Sequence, residues 1–426
     1  MRRECGASEA VKSMLRLTGS NAVKGNASSI PLLELSLGQL ISWGTLYYGI
    51  TFVAEPIRQE TGWGLGRIFG AFSAALLLSA LATPVVGRFF HRHGGRIIMS
   101  IGSLIAASAL AIIATSKSFL FFQIGWLLAG MAMSMTLYEA GFSTLREMSA
   151  IDFRRGVGVI TVVGGFASTL FWPLTHWLAA ELGWRTVLLI YAGMHLYICF
   201  PLHFSLGTTP FAAETEVKAE PVPAVNKQGI ALLAAAFALA SLVSAAVASH
   251  AGLILAYKQV PDWLAMAALV LIGPMQVAGR IAELSIGHRV STVLTGMTAL
   301  ITLSCSLFLL QLIGHYPWLV LGFAVAYGAA NGVMTVVRGT ILADLFDGKN
   351  YALMLGVLSA PALFARALGP VLMAGVGVFG TSAAIWMLTL SIVLATGAFW
   401  YASHAHSTPF FYFGITNDRS ESHSDR

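Results

Sequence analysis

The stretch VGRFFHRHGGR, Val86 to Arg96, places three arginines and two histidines between two long apolar runs. Upstream lies RIFGAFSAALLLSALATPVV, and downstream IIMSIGSLIAASALAIIA. Each run is long enough to cross a hydrocarbon core of about 30 Å as a helix. A short basic segment between two such runs is the pattern of a loop facing the cytoplasm. Working outward from it, similar runs recur along all 426 residues, of which 57% are hydrophobic and only 10% charged. A soluble domain of this size would carry more charge on its surface. The runs are continuous rather than alternating, which favours helices over a closed barrel.

Twelve helices are expected, over 31–53, 63–87, 96–115, 119–146, 156–180, 185–206, 229–250, 263–286, 290–313, 317–344, 350–377 and 380–402. The polar segment between the sixth and seventh has no periodicity and reads as a linker. The expected organisation is a disordered cytoplasmic tail at 1–29, a six-helix bundle at 30–206 and a cytoplasmic linker at 207–228. A second bundle at 229–403 and a cytoplasmic tail at 404–426 complete it. With the N-terminus inside, the outer segments hold only Arg58, Arg67, Lys117, Arg185 and Lys258. The inner ones hold most of the remaining lysines and arginines. That bias puts both termini in the cytoplasm of a multi-pass cell-membrane protein, the inner membrane if the cell is bacterial. The formal charge of +6 is explained by these loops, so no nucleic-acid partner is expected. The start has no apolar core and is not a cleaved signal peptide. Cys5, Cys199 and Cys305 are odd in number and imply no disulfide framework. No zinc-binding helix motif, phosphate loop or nucleophile elbow stands in a supporting context. No enzyme activity, cofactor or metal is therefore expected, and transport without an ATP site draws on gradients.

The two halves echo each other at an offset near 200 residues: Trp63 and Trp263, Gly130 and Gly328, GVITVVGGFASTLFWP (158–173) and GVLSAPALFARALGP (356–370). Such spacing suggests a duplicated six-helix unit.

On these residues the chain resembles the major facilitator superfamily. That family's loop between helices two and three reads G-x-x-x-D-R-x-G-R-R/K. Here Gly87 opens it, His91 stands where the acid would be, and Arg92, Gly94, Gly95 and Arg96 follow. GRIAELSIGHR, 279–289, is a fainter second copy that has the acid, Glu283. The resemblance implies an all-α membrane fold of two pseudo-symmetric six-helix bundles and a permease working by alternating access. It also makes Gly87, His91, Arg92, Gly94 and Arg96 a gating loop, with Asp344 and Asp347 as acidic contacts before helix eleven. Within the superfamily the chain resembles the monocarboxylate-transporter-like branch. SWGTLYYG (42–49) matches its first helix. In MQVAGR, Arg280 stands where that branch binds a carboxylate, and Gln276 stands where it has an acid.

Ionisable groups at membrane depth face a cavity or a partner. Arg280 is either a carboxylate clamp or a partner of Glu283 three residues on. Asn331, Thr335 and Arg338 form one polar stripe on helix ten. Arg366, on helix eleven, joins Arg338 as a substrate ligand or as half of a structural ion pair. Glu139 is a proton carrier or a fixed counter-ion to Arg338, and Glu283 is placed with it. Tyr47, Tyr48 and Tyr138 are candidate ligand contacts, with an interfacial aromatic belt the favoured alternative for Tyr48. His250 is a solvated interfacial histidine or a proton relay, the first being favoured. Three arginines against one or two carboxylates favour an anionic substrate, a small monocarboxylate moved with a proton by a monomeric symporter. An exporter of drugs or metabolites and a non-transporting sensor are the alternatives.

Overall fold

The computed structural model describes residues 26–148, 153–207, 227–286, 289–345, 351–376 and 380–405. Most of the expected tails and of the linker, and Asp347, lie outside them, as do the side chains of His91 and Asp344; the helix begins at Asn26, inside the tail expected to be disordered.

Helices carry nearly all of the described residues, and they follow the expected twelve runs. Nine stretches among them are long and apolar enough to cross a membrane. One of these, Gly156–Ser205, holds helices five and six. A π-turn interrupts the first column, and in the eleventh the apolar stretch Ala360–Val376 is shorter than the nine. Side chains such as Leu120, Trp177 and Leu390 are exposed on the outside of the columns. An apolar exterior of this extent is a lipid-facing surface.

Two glycines set the path of the chain. Helices two and three form one stretch, Leu65–Thr115, reversed at Gly94 with φ 77°. Helices five and six meet within Ala167–Met194 at Gly183, also with φ 77°. A side chain is strained at such a φ, which glycine adopts freely. The basic cluster of the opening stretch is thus a one-residue corner, more compact than the loop expected there. The Gly94 and Gly183 corners mark opposite ends of the molecule and orient the description below.

Three other elements differ from the expected helices. The first column runs as Asn26–Ser42, a π-turn at Trp43–Tyr48, then Ile50–Thr61. The fourth breaks at Leu137, between Phe119–Thr136 and Tyr138–Glu147. The sixth contains a second π-turn, His195–Cys199, before Phe200–Ser205. The two π-turns are tied together. Thr45 Oγ donates to Ile41 O at 2.8 Å, so it accepts from His195 Nε2 at 2.8 Å.

The suspected duplication has a structural counterpart. A Cβ on Gly130 of helix four would strike the backbone of Ala75 on helix two. A Cβ on Gly328 of helix ten would strike Ile272 on helix eight. Small residues at matching places let the same pair of columns touch backbone to backbone in each half. Apolar packing is divided likewise. Two clusters draw on residues 35–206 and one on residues 233–402, and Trp172 and Ala367 each pack into the opposite half.

Between the halves, Thr51 donates to Ala248 O at 2.7 Å. Thr169 donates to Val270 O at 3.2 Å, and Val371 N–H donates to Ser73 Oγ at 3.2 Å. Phe69 stacks on His250 with centroids 3.8 Å apart. His250 is therefore buried in a seam between bundles. The solvated position expected for it is corrected, because an aromatic partner from the other half covers its ring.

Candidate functional site

A cavity of about 170 Å³ lies between the two halves. Its first wall comes from the first half of the chain and is aromatic: Trp43, Tyr47, Tyr48, Tyr138 and Trp172. The π-turn explains three of these. In an α-helix, Tyr48 would point well away from Trp43. With i→i+5 hydrogen bonds a turn holds more residues, and Trp43 stands beside both tyrosines. Its ring centroid is 5.1 Å from Tyr47 and 6.3 Å from Tyr48. Tyr138, at the start of the second segment of helix four, is 4.9 Å from Trp43. Trp172 lies 5.5 Å from Tyr48 and donates to Thr51 at 3.2 Å. The belt position expected for Tyr48 is thereby corrected: it lines the cavity, half-buried.

The second wall comes from the second half and carries the charge. Gln276 and Arg280 are on helix eight, Asn331, Thr335 and Arg338 on helix ten, and Arg366 on helix eleven. All eight residues expected at a substrate site, Tyr47 and Tyr138 included, line this one cavity. The stripe of Asn331, Thr335 and Arg338 is helical periodicity made visible. Asn331 also acts as a strut: its amide donates to Tyr327 O at 2.9 Å and its oxygen accepts from Ser244. Arg366 sits between Pro361 and Pro370 on its helix.

Arg280 is 6% exposed. It does not pair with Glu283. Its guanidinium donates to Thr161 O on helix five and lies in electrostatic reach of Tyr138. Its Nε–H and the indole N–H of Trp43 have no partner among the described residues. Arg338 lies in the electrostatic field of Arg366 and of Glu139. The ion pairs of Arg58 with Glu55 and of Arg185 with Glu60 lie away from the cavity and involve none of its three arginines. Glu139 is exposed beside the cavity, next to the lining Tyr138. Glu283 does not line it and instead borders a separate groove with Thr295, Thr298 and Thr302 of helix nine.

At the Gly94 corner, Gly95 N–H donates to the buried carboxylate of Glu147 at 2.7 Å. Arg96 stands over the ring of Phe204 at 4.3 Å. Gly87 and Arg92 are more open. Glu147, overlooked in the sequence, supplies an acid to the start of helix three, where a negative charge meets free N–H groups. Trp43, Trp172, Ser244 and Tyr327 were also overlooked. Trp43 is the exception with a visible signal, since it belongs to SWGTLYYG. No group of three or more His, Cys, Asp or Glu side chains is gathered as a metal would require, among the described residues.

The profile described as Major Facilitator Superfamily matches residues 35–326. The chain belongs to that superfamily. Two solved structures of the nucleoside transporter NupG share its fold. A mutant form has a TM-score of 0.70 at 14% identity, over 88% of this chain and 99% of that one. The other gives a TM-score of 0.66 at 14% identity with the same coverage. A search of curated proteins finds no match. This member of the superfamily is therefore a multi-pass membrane protein with a transporter fold and a cavity between its halves.

Proposed function

We propose that the protein carries a small organic anion across the membrane by alternating access. One observation supports this most: three arginines meet in the cavity with no acidic partner among the described residues. A charge at membrane depth costs a few kcal/mol or more when left alone. A substrate carboxylate supplies the partner, since a guanidinium fork matches it bidentately. Arg280 stands at the place where the monocarboxylate-transporter-like branch binds its substrate, which makes a monocarboxylate the substrate of choice.

Glu139 makes a proton the coupling ion. Without substrate, its charge helps to balance Arg338. A substrate carboxylate competes with it for the same arginine, which couples the anion to the charge on Glu139. Glu283, outside the cavity, is left with a structural part. In the orientation set by the basic residues, the Gly94 corner faces the cytoplasm and the seam at Phe69 and His250 is an outer seal. Gly87, Arg92, Gly94 and Arg96 are then cytoplasmic and move when the inner gate opens.

A neutral planar solute is the second reading, favoured by the aromatic wall and by the nucleoside named for NupG. Uptake into proteoliposomes separates the two. Labelled monocarboxylates are expected to accumulate saturably, and faster with an acidic exterior. Accumulation of nucleosides without any anion would overturn the proposal. A reporter active only outside the cytoplasm should be silent when fused within 207–228.

A further inference from the structure

The charge in the cavity is confined to one wall, so the other wall selects for something else; the second half adds only Phe237 and Tyr327 to the rings. All three arginines come from the second half, and the wall from the first half offers rings and tyrosine hydroxyls without a single charged lining residue. We infer that the carried anion has a planar aromatic body, an arene carboxylate, with its ring against Trp43, Tyr48 and Trp172 and its carboxylate on the arginines. This rests on the anion reading and adds to it the nature of the rest of the substrate.

Three observations carry the inference. The first is continuity. Trp172, Tyr48, Tyr47, Trp43 and Tyr138 follow one another at centroid distances of 5.5, 5.1, 5.1 and 4.9 Å. Neighbouring planes are tilted by 85°, 87°, 69° and 45°. Rings so arranged present both faces and edges to an added ring, which favours edge-to-face and offset contacts at these distances. The wall is maintained by a costly device, a π-turn held from behind by His195. Such turns cluster at functional sites.

The second observation is proximity. Tyr48 lies in the field of both Arg280 and Arg366, and Tyr138 lies in the field of the same two arginines. One compact molecule can therefore touch both walls. The unpartnered N–H groups of Trp43 and Arg280 come from opposite walls and can both donate to its oxygens.

The third is size. The cavity holds about 170 Å³, and engineered apolar cavities of roughly 150 Å³ bind one benzene. A single ring with a carboxylate fits. An acetate-sized anion would leave the aromatic wall uncovered.

The test is equilibrium binding to the purified, full-length protein with three probes of similar size: benzoate, cyclohexanecarboxylate and benzamide. Benzoate is expected to bind about tenfold more tightly than cyclohexanecarboxylate, which has the charge without the aromatic ring. It should also exceed benzamide, which has the ring without the charge. Tyr48→Leu should shrink the first preference and leave the second. Trp43→Phe, which keeps a ring but removes the N–H, should retain the first preference. Equal binding of benzoate and cyclohexanecarboxylate overturns the aromatic inference and leaves the anion reading standing. Equal binding of benzoate and benzamide overturns the anion reading. Binding of none of the three overturns the inference, and the uptake experiment then decides the anion reading by itself.

Discussion

The wall built by the first half of the chain and the wall built by the second differ in what they can give a ligand. The first is made of rings packed on one another, positioned by a local change in helix geometry at Trp43–Tyr48. The second also has rings, Phe237 and Tyr327, but adds the guanidinium and amide groups of helices eight, ten and eleven, positioned by ordinary helical spacing. The lesson is that a duplicated scaffold need not have a duplicated site. Gly130 and Gly328 keep the same packing in both halves, while the faces turned to the cavity have diverged in chemistry.

The sharpest way to break this comparison is to remove charge from the second wall. Arg366→Gln should weaken binding of the anion about 10- to 100-fold, since a hydrogen bond to a charged group is worth roughly 1.5–3 kcal/mol. Arg338→Lys should weaken it less, because the positive charge stays while the fork is lost. Calorimetric titration of the purified variants measures both. An unaltered affinity in both would mean that the second wall does not hold the ligand. The packing half of the comparison comes next. Gly130→Ala and Gly328→Ala should each lower stability by about 1–3 kcal/mol, the usual cost of overpacking. Thermal melting in detergent would show it, and a loss at one site alone would break the symmetry argued here. On the first wall, Tyr48→Leu should cost about 0.5–1.5 kcal/mol of binding to an aromatic ligand.

The smallest expected effect concerns the Gly183 corner. Arg185 bonds Glu60 at 2.7 Å and the carbonyls of Ala114 and Ser116 at 2.5 and 3.0 Å. The bond from Arg185, and a second from Trp184, hold the Glu60 carboxyl below the usual carboxylate range. A depressed value in the folded state means stability that is present at neutral pH and lost as pH falls through that value. Glu60→Gln should therefore lower melting slightly at neutral pH, by a few tenths of a kcal/mol for so exposed a pair. The difference should vanish in acid.

How much of this the sequence disclosed depended on geometry. Apolar length announced the helices, and the spacing of Asn331, Thr335 and Arg338 announced the second wall, because both follow from a regular 3.6-residue period. The belt was favoured for Tyr48 because that period turns it away from Trp43, and only the π-turn brings it back. The break at Leu137 and the burial of His195 and His203 were hidden as well. They depend on partners distant in sequence, such as Thr45 and Ser103, each 2.8 Å from a histidine ring. Arg280 was left open between two roles because its alternative partner, Glu283, was close in sequence. Its choice of Thr161 on another helix could not be read from spacing.

The seam between the bundles has an energetic consequence. The bonds across it from Thr51, Thr169 and Val371 each have a backbone group on one side. When the seam parts and water enters, every one can be replaced by a bond to water, so each resists opening by only about 0.5–1.5 kcal/mol. Together they set a gap of a few kcal/mol between the closed and parted arrangements. At such a gap the rarer arrangement is still visited by about 0.1–10% of molecules at equilibrium. A solute that favours one arrangement by about 5.5 kcal/mol is enough to invert the populations. The seam is thus weak enough for a single bound molecule to govern.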